Sequence, residues 1–290
     1  MKKFTLALSL LAMAASASAA NLYIIGDATP YGWSTDDATA LLSTADAPAV
    51  YTGTIYLTAD QNFKFMTVPD WGNLEYGSAP DATLVDGEIT LASGTDDSGY
   101  GQLRVPEAAN YLITVDTENL KATIVKSAYQ ESEIKLCSLF MVGSATDGEW
   151  SVDNGTPLYQ DAEAPYKYST ANLALKEGSF KIATVIKGGG SFDQKYFYFR
   201  SADDDAKMVL NQDGDLQWNI AEAANYDVTA NTLTGDITIA KSSSSAISTV
   251  EDVDNAVAEY FTLDGVKVAS PSAGIYICRR GSAVSKVIVR

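Results

Sequence analysis

The chain has 290 residues, 37 acidic against 20 basic side chains, and not one histidine, for a formal net charge of -17. So acidic a surface offers little to nucleic-acid phosphates or anionic lipid, and the missing imidazole removes the commonest general base, the Ser-His and Cys-His nucleophile systems and histidine metal ligands together. Cys137 and Cys278 allow at most one disulfide, match no metal or redox spacing, and read as two buried or unpaired thiols.

Residues 1–20 have the pattern of an export leader: Lys2 and Lys3, an apolar run from Phe4 to Ala15, and small residues at Ala17, Ser18 and Ala19. The run is too short to span a bilayer, and no later stretch approaches the roughly 20 apolar residues a membrane helix needs. A lipoprotein would carry cysteine just after the exit. Ala20 and Asn21 stand there instead, so export without an N-terminal lipid is expected.

A repeat organises most of the remaining chain. NLYIIGDATPYGWS at 21–34 returns as SLFMVGSATDGEWS at 138–151, with six identities in fourteen positions and apolar residues exchanged for apolar ones. FKF at 63–65 returns as FKI at 180–182, and EAANY at 107–111 returns at 222–226. Order and spacing are both kept, which marks internal duplication, with one unit near 21–127 and a second near 137–240. In the first, strands are expected at 22–25, 51–57, 63–66, 89–91, 111–115 and 122–125, separated by turn clusters, with almost no helical period. The expected fold is all-β: two tandem antiparallel immunoglobulin-like β-sandwich modules plus a small C-terminal β appendage. A Ser-rich linker is read at 241–256. The last segment, 257–290, resumes strand character through YFTLDGVKV, a turn at Pro271 to Gly274, GIYIC and KVIV; three or four strands seldom make a core alone, so an appendage or docking signal is expected.

The block LYIIGDATPYGWS, followed by FKFMTVPDWG, resembles the starch-binding modules of the SusE and SusF outer-membrane proteins of gut Bacteroidetes, and more loosely glycogen-binding modules. Trp33, Lys64 and Trp71 fit the pattern of a first indole, a strand lysine and a second indole seven residues beyond it. The resemblance implies a curved platform of two indoles against sugar faces, with the lysine bonding hydroxyls. A pyranose has apolar C–H faces and a polar rim, which a rigid aromatic plate with a few polar groups at its edge recognises. In the second unit Trp150 and Lys181 are retained, but Gly188, within the Lys187–Gly190 run, stands where the second indole belongs. Either Phe192, Tyr196 or Tyr198 replaces it, with Tyr196 taken as the candidate, or the unit is a structural copy. The tail resembles the C-terminal sorting domains of the type IX secretion route, which places the protein at the cell surface or outer membrane, secreted, or in the periplasm.

Each candidate also has a plain structural reading. Trp33 and Trp150 either plug their sandwiches or meet sugar; Trp71, between Pro69-Asp70 and Gly72-Asn73, has an exposed-loop context, and Tyr76 nearby offers a hydroxyl or a second stacking face. Lys64, between Phe63 and Phe65, points away from the core by strand alternation. Trp218, aligned near Leu103, reads as core. The acids at 203–205 and 211–215 lack the fixed alternation of a calcium loop, so no metal and no cofactor is expected. No carboxylate pair is marked out for glycoside hydrolysis. The expectation is non-catalytic binding of a starch-like α-glucan, with other outer-membrane glycan-uptake components as possible partners; the rival is a structural or adhesive protein that uses its sandwiches for protein contacts.

Overall fold

The computed structural model describes residues 20–96, 98–186, 192–242, 259–262, 266–268, 272, 274–280 and 283–289. The leader, the Lys187–Gly190 run and nearly all of the expected linker lie outside them. Residues 1–242 and 243–290 form two separate compact units.

The first unit contains both copies of the repeat. In the first copy the strands are β1 (Asn21–Ile25), β2 (Thr39–Thr44), β3 (Ala47–Leu57), β4 (Lys64–Met66), β5 (Glu75–Ser78), β6 (Glu88–Gly94), β7 (Ala109–Asp116) and β8 (Lys121–Lys126). Every pairing is antiparallel, and the order β1-β2-β3-β7-β8-β6-β5-β4 closes on itself. Closure leaves no sheet edge to pair with another chain, where two separate sheets would leave four.

The second copy has β9 (Ser138–Val142), β10 (Thr156–Gln160), β11 (Lys167–Leu175), β12 (Gly178–Ala183), β13 (Phe197–Arg200), β14 (Met208–Leu210), β15 (Trp218–Ile220), β16 (Ala224–Asn231) and β17 (Asp236–Lys241). Its order, β14-β13-β12-β9-β10-β11-β16-β17 with β15 on β12, repeats that of the first. Closure here rests on one bridge, Lys207 to Asp236, flanked by hydrogen bonds from Met208 N to Gly235 O and from Ile237 N to Ala206 O. Lys241, read from sequence as the start of the linker, ends β17.

The two copies are fused through a third core. Along β1, Leu22 and Ile24 face the first module's core while Tyr23 and Ile25 face the shared one; along β9, Leu139 and Met141 face inward and Phe140 and Val142 outward into the same shared core. Burial on both faces is why these strands read as unbroken apolar runs with no polar alternation. The connecting segment is also fixed. Asn110 Nδ2 donates to Tyr129 O and Ser132 O, Tyr56 N donates to Ile134 O, and Gln160 joins the modules by accepting from Thr54 N at 2.6 Å and donating to Leu136 O at 2.9 Å. Cys137 is buried here and unpaired, its thiol pushed up to about 12 by desolvation.

The second unit is a four-stranded antiparallel sheet of β18 (Glu259–Phe261), β19 (Lys267–Val268), β20 (Gly274–Arg280) and β21 (Ala283–Val289) in the order β19-β18-β20-β21. Glu259 is held by Lys267 and Arg279, and Cys278 is buried and unpaired.

Candidate functional site

The turn that follows β1 places the first indole. Gly26 sits at φ +144°, and a Cβ there would stand 2.2 Å from Asn62 O and 2.4 Å from Phe63 Cα, so only glycine lets β1 lie this close to β4. The turn is then tied by Gly26 N to Gly32 O (2.9 Å), by the Thr29 amide and hydroxyl to Gly26 O (2.8 and 2.9 Å), and by Ala28 N to Asn62 O (3.0 Å). The second copy repeats each bond: Gly143 N to Glu149 O, the Thr146 amide and hydroxyl to Gly143 O, and Ala145 N to Ser179 O. Trp33 and Trp150 are thus mounted identically, half-buried, and both lean on the shared core.

The second plate of the first module comes from the loop between β4 and β5. Trp71 N donates to Asp70 Oδ1 at 2.9 Å, Asn73 Nδ2 to Asp70 O at 3.1 Å, and Gly72 takes φ +81°. Held this way, Trp71 is 49% exposed, its ring centroid 6.4 Å from that of Trp33 and tilted 39° to it.

Lys64 ends beneath the two rings. It does leave the core, as strand alternation requires, but it is only 1% exposed. Its ammonium lies 5.9 Å from the Trp33 ring centroid, 5.0 Å from Trp71 and 5.7 Å from Tyr100, within cation–π range of all three. It donates to Glu75 Oε2 at 2.7 Å and to the Tyr100 hydroxyl at 3.3 Å, and Tyr100 in turn donates to Glu75. This desolvated ion pair has its hydrogen bonds satisfied, the condition under which a buried charge is tolerated.

The second module builds the same cage from other residues. The Lys181 ammonium lies 5.6 Å from Trp150, 5.6 Å from Phe192, 4.9 Å from Phe197 and 5.1 Å from Phe199, and bonds Asp215 Oδ1 at 2.8 Å. That contact holds the Asp215 carboxyl below the usual carboxylate range. Phe192 is 47% exposed, 6.5 Å from Trp150, and stacked on Phe197 at 5.7 Å and 2°. A shallow depression of about 380 Å³ lies over this group, edged by Gln194 and Gln217.

Two sequence expectations are corrected. Tyr76 is no part of the platform: on β5 it alternates with Glu75, so when Glu75 faces the lysine Tyr76 faces the core, where it is 8% exposed and its hydroxyl reaches towards Thr117. Tyr196 is likewise buried, in the core shared by the modules, and the ring beside Trp150 is Phe192, one of the alternatives. Trp218 is core, as read, stacked on Phe180 at 5.6 Å. Of the loop acids, Asp204 accepts from Ala206 N, Asp205 pairs with Arg200 and Asp215 with Lys181; among the described residues no three potential ligands gather around a common point. Sequence reading passed over Glu75, Tyr100, Phe197 and Phe199 and weighed Asp215 only as a calcium ligand; none of the five falls in a repeated block.

The family model described as SusF/SusE starch specific CBMs matches residues 21–124. That span runs from β1 into β8 and contains the whole first cage. Among solved structures the chain is similar to SusF from Bacteroides thetaiotaomicron, at 18% identity over 76% of this chain and 47% of that one, with a TM-score of 0.29. It therefore spans about half the length of that relative. No protein of curated function matches the sequence.

Proposed function

We propose that this chain binds a starch-like α-glucan without catalysing its breakdown, chiefly on the exposed faces of Trp33 and Trp71. The observation that carries the reading is the geometry of that pair: two indoles side by side, rigidly mounted and inclined at 39°. Inclined plates meet successive rings of a bent chain, whereas a flat ribbon-like glycan would touch one and miss the other. Rigid aromatics also lose little entropy on binding. The family model over 21–124, with its starch-specific description, supports the same reading. Lys64 and Glu75 serve as positioning residues, because the buried ammonium draws both ring faces toward itself and is already bonded to Glu75 and Tyr100. The second platform, with a phenyl ring in place of an indole, takes the same ligand more weakly, and two sites on one rigid body raise the overall affinity for a long polymer.

Retention on an α-glucan affinity gel tests this. Replacing exposed Trp71 by alanine should leave folding intact and weaken binding by about 2 kcal/mol, roughly thirtyfold. An unretarded wild-type protein, or unchanged retention after Trp71→Ala and Trp33→Ala together, would remove the glycan reading and favour protein contacts. Assay for released reducing ends checks the non-catalytic part. Residues 1–20 and the C-terminal sheet are read as export and sorting signals for a surface or secreted location; cell fractionation with intact-mass measurement of the mature protein decides between them.

A further inference from the structure

A cleft of about 310 Å³ opens where the two modules meet, away from either aromatic platform. It has walls from three sources: the first module's β1–β2 connection, the connecting segment 132–136, and the second module. Five of its seventeen lining residues are tyrosines, namely Tyr31, Tyr166, Tyr168, Tyr196 and Tyr198, beside five aliphatic residues.

The floor is fixed. Tyr168 donates its hydroxyl to Leu136 O at 2.7 Å, and Tyr196 O accepts from both the amide and the hydroxyl of Thr184, at 2.8 and 3.1 Å. Tyr31 and Tyr198 are partly open. Burial pushes the Tyr31 hydroxyl up to about 12 and raises that of Tyr198, so both remain neutral donors and acceptors at any ordinary pH. The lining charges are Asp37 and Glu133 against Lys135 and Lys195, two of each sign, so the lining carries no net charge to favour an ion of either sign. A wholly apolar ligand would bury the Tyr31 and Tyr198 hydroxyls against carbon, which is costly. What remains is a neutral, amphipathic molecule with apolar faces and a hydroxyl rim. The volume is at the small end of ligand pockets, about 300 to 1,000 Å³.

We infer that this inter-module cleft is a third saccharide site, one that takes one or two pyranose units of neutral sugar. Its Tyr31 wall is not repeated in the second copy. Tyr31 is carried by the same turn as Trp33, but the matching place in the second copy is Gly148, where a Cβ would stand 2.0 Å from Asn154 O. The site thus goes beyond the two platforms and stands independently of them.

The test uses the full chain with both outer plates removed, Trp71→Ala with Phe192→Ala, titrated with maltose and with glucose by calorimetry and by NMR of the tyrosine rings. One saturable site should remain, with shifts at Tyr31 and Tyr198. Adding Leu210→Arg, at an exposed residue lining the cleft, should weaken it about tenfold or more. The inference is overturned by the absence of saturable binding in the plate-less chain, or by binding that Leu210→Arg does not weaken. The loss of polysaccharide retention from wild type to Trp71→Ala, with the cleft intact in both, reports on the first outer platform, so the two readings fail separately.

Discussion

Glu75 and Asp215 neutralise equivalent lysines from non-equivalent positions. In the strand ladders Met66 pairs with Glu75 and Ala183 with Phe197, so Phe197 occupies the place of Glu75. Phe63 bridges Leu103 and Phe180 pairs with Trp218, which puts Asp215 in the place of Tyr100. Carboxylate and aromatic ring have exchanged places between the copies. A third residue follows them: Gly77, where a Cβ would stand 2.5 Å from Tyr100 Cδ2, corresponds to Phe199, which borders the lysine where the Tyr100 ring is absent. Each cage keeps one lysine, one carboxylate and at least three rings, although most of the individual residues differ.

The exchange predicts a coupling. Glu75→Gln removes the counter-charge of a buried ammonium, and Tyr100→Asp alone replaces a packed ring with a second carboxylate beside the first; each should cost about 2 to 4 kcal/mol. Together they move the carboxylate to the place it holds in the second module, so the double variant should be more stable than the summed losses by about 1 to 3 kcal/mol. Urea unfolding of the four proteins gives the cycle. Strict additivity would mean that the carboxylate cannot be supplied from position 100.

Lys64 itself allows a sharper separation of roles. Lys64→Met alone strands Glu75 in a dry site, at about 3 to 5 kcal/mol. Lys64→Met with Glu75→Met removes both charges and should return to within about 1 to 3 kcal/mol of the wild type, the remainder reflecting the hydrogen bonds to Lys64 and Glu75 that the Tyr100 hydroxyl loses. If the lysine acts as proposed, by positioning the rings, the double variant should lose less α-glucan affinity than Trp71→Ala. Affinity electrophoresis compares them directly; a loss equal to or greater than that of Trp71→Ala would assign Lys64 a direct contact.

Much of this was legible in the chain itself, because local backbone constraints write themselves into sequence. Gly26 and Gly143 are demanded by the approach of a neighbouring strand, and Thr29 and Thr146 by the bonds they make, so the block carrying Trp33 and Trp150 is preserved and visible. All six strands expected in the first module are present. β2 and β5 were not legible: TALLST is buried on nearly every residue and shows no alternation, and EYGS carries a glutamate and a glycine that read as loop. The carboxylates and remaining rings that complete the cages around Lys64 and Lys181 were not legible as such for a different reason. The lysine requires only that some carboxylate and some rings surround it in space, a condition met from different strands in the two copies, so no repeated string records it.

Acidification should act on the second module in a definite direction. The Lys181 contact depresses the folded-state pKa of Asp215. A depressed acid contributes its stability above its unfolded value, about 3.9, and loses it as pH falls through the lower folded value. The difference in thermal midpoint between wild type and Asp215→Asn should therefore be constant above about pH 5 and shrink below about pH 4. Asp215 is largely exposed at its carboxylate, so solvent screening keeps the effect modest. A difference that grew on acidification would contradict the assigned pairing.

The plates themselves set the last expectation. Trp71 and Phe192 occupy corresponding roles beside Trp33 and Trp150, are exposed to the same extent and stand at almost the same centroid distance, 6.4 and 6.5 Å, but the phenyl ring offers a smaller apolar face. Stacking affinity follows the area a ring covers. Phe192→Trp, made in a Trp71→Ala background so that the first platform does not mask the second, should raise affinity for a soluble maltooligosaccharide by roughly 0.5 to 1 kcal/mol, about two- to fivefold. Phe192→Ala in the same background should abolish what remains at that platform. Fluorescence titration of the remaining indoles follows both. If Phe192→Trp and Phe192→Ala bind equally, the second copy is a structural partner whose cage serves the packing of the modules, and the glycan is held by the first alone.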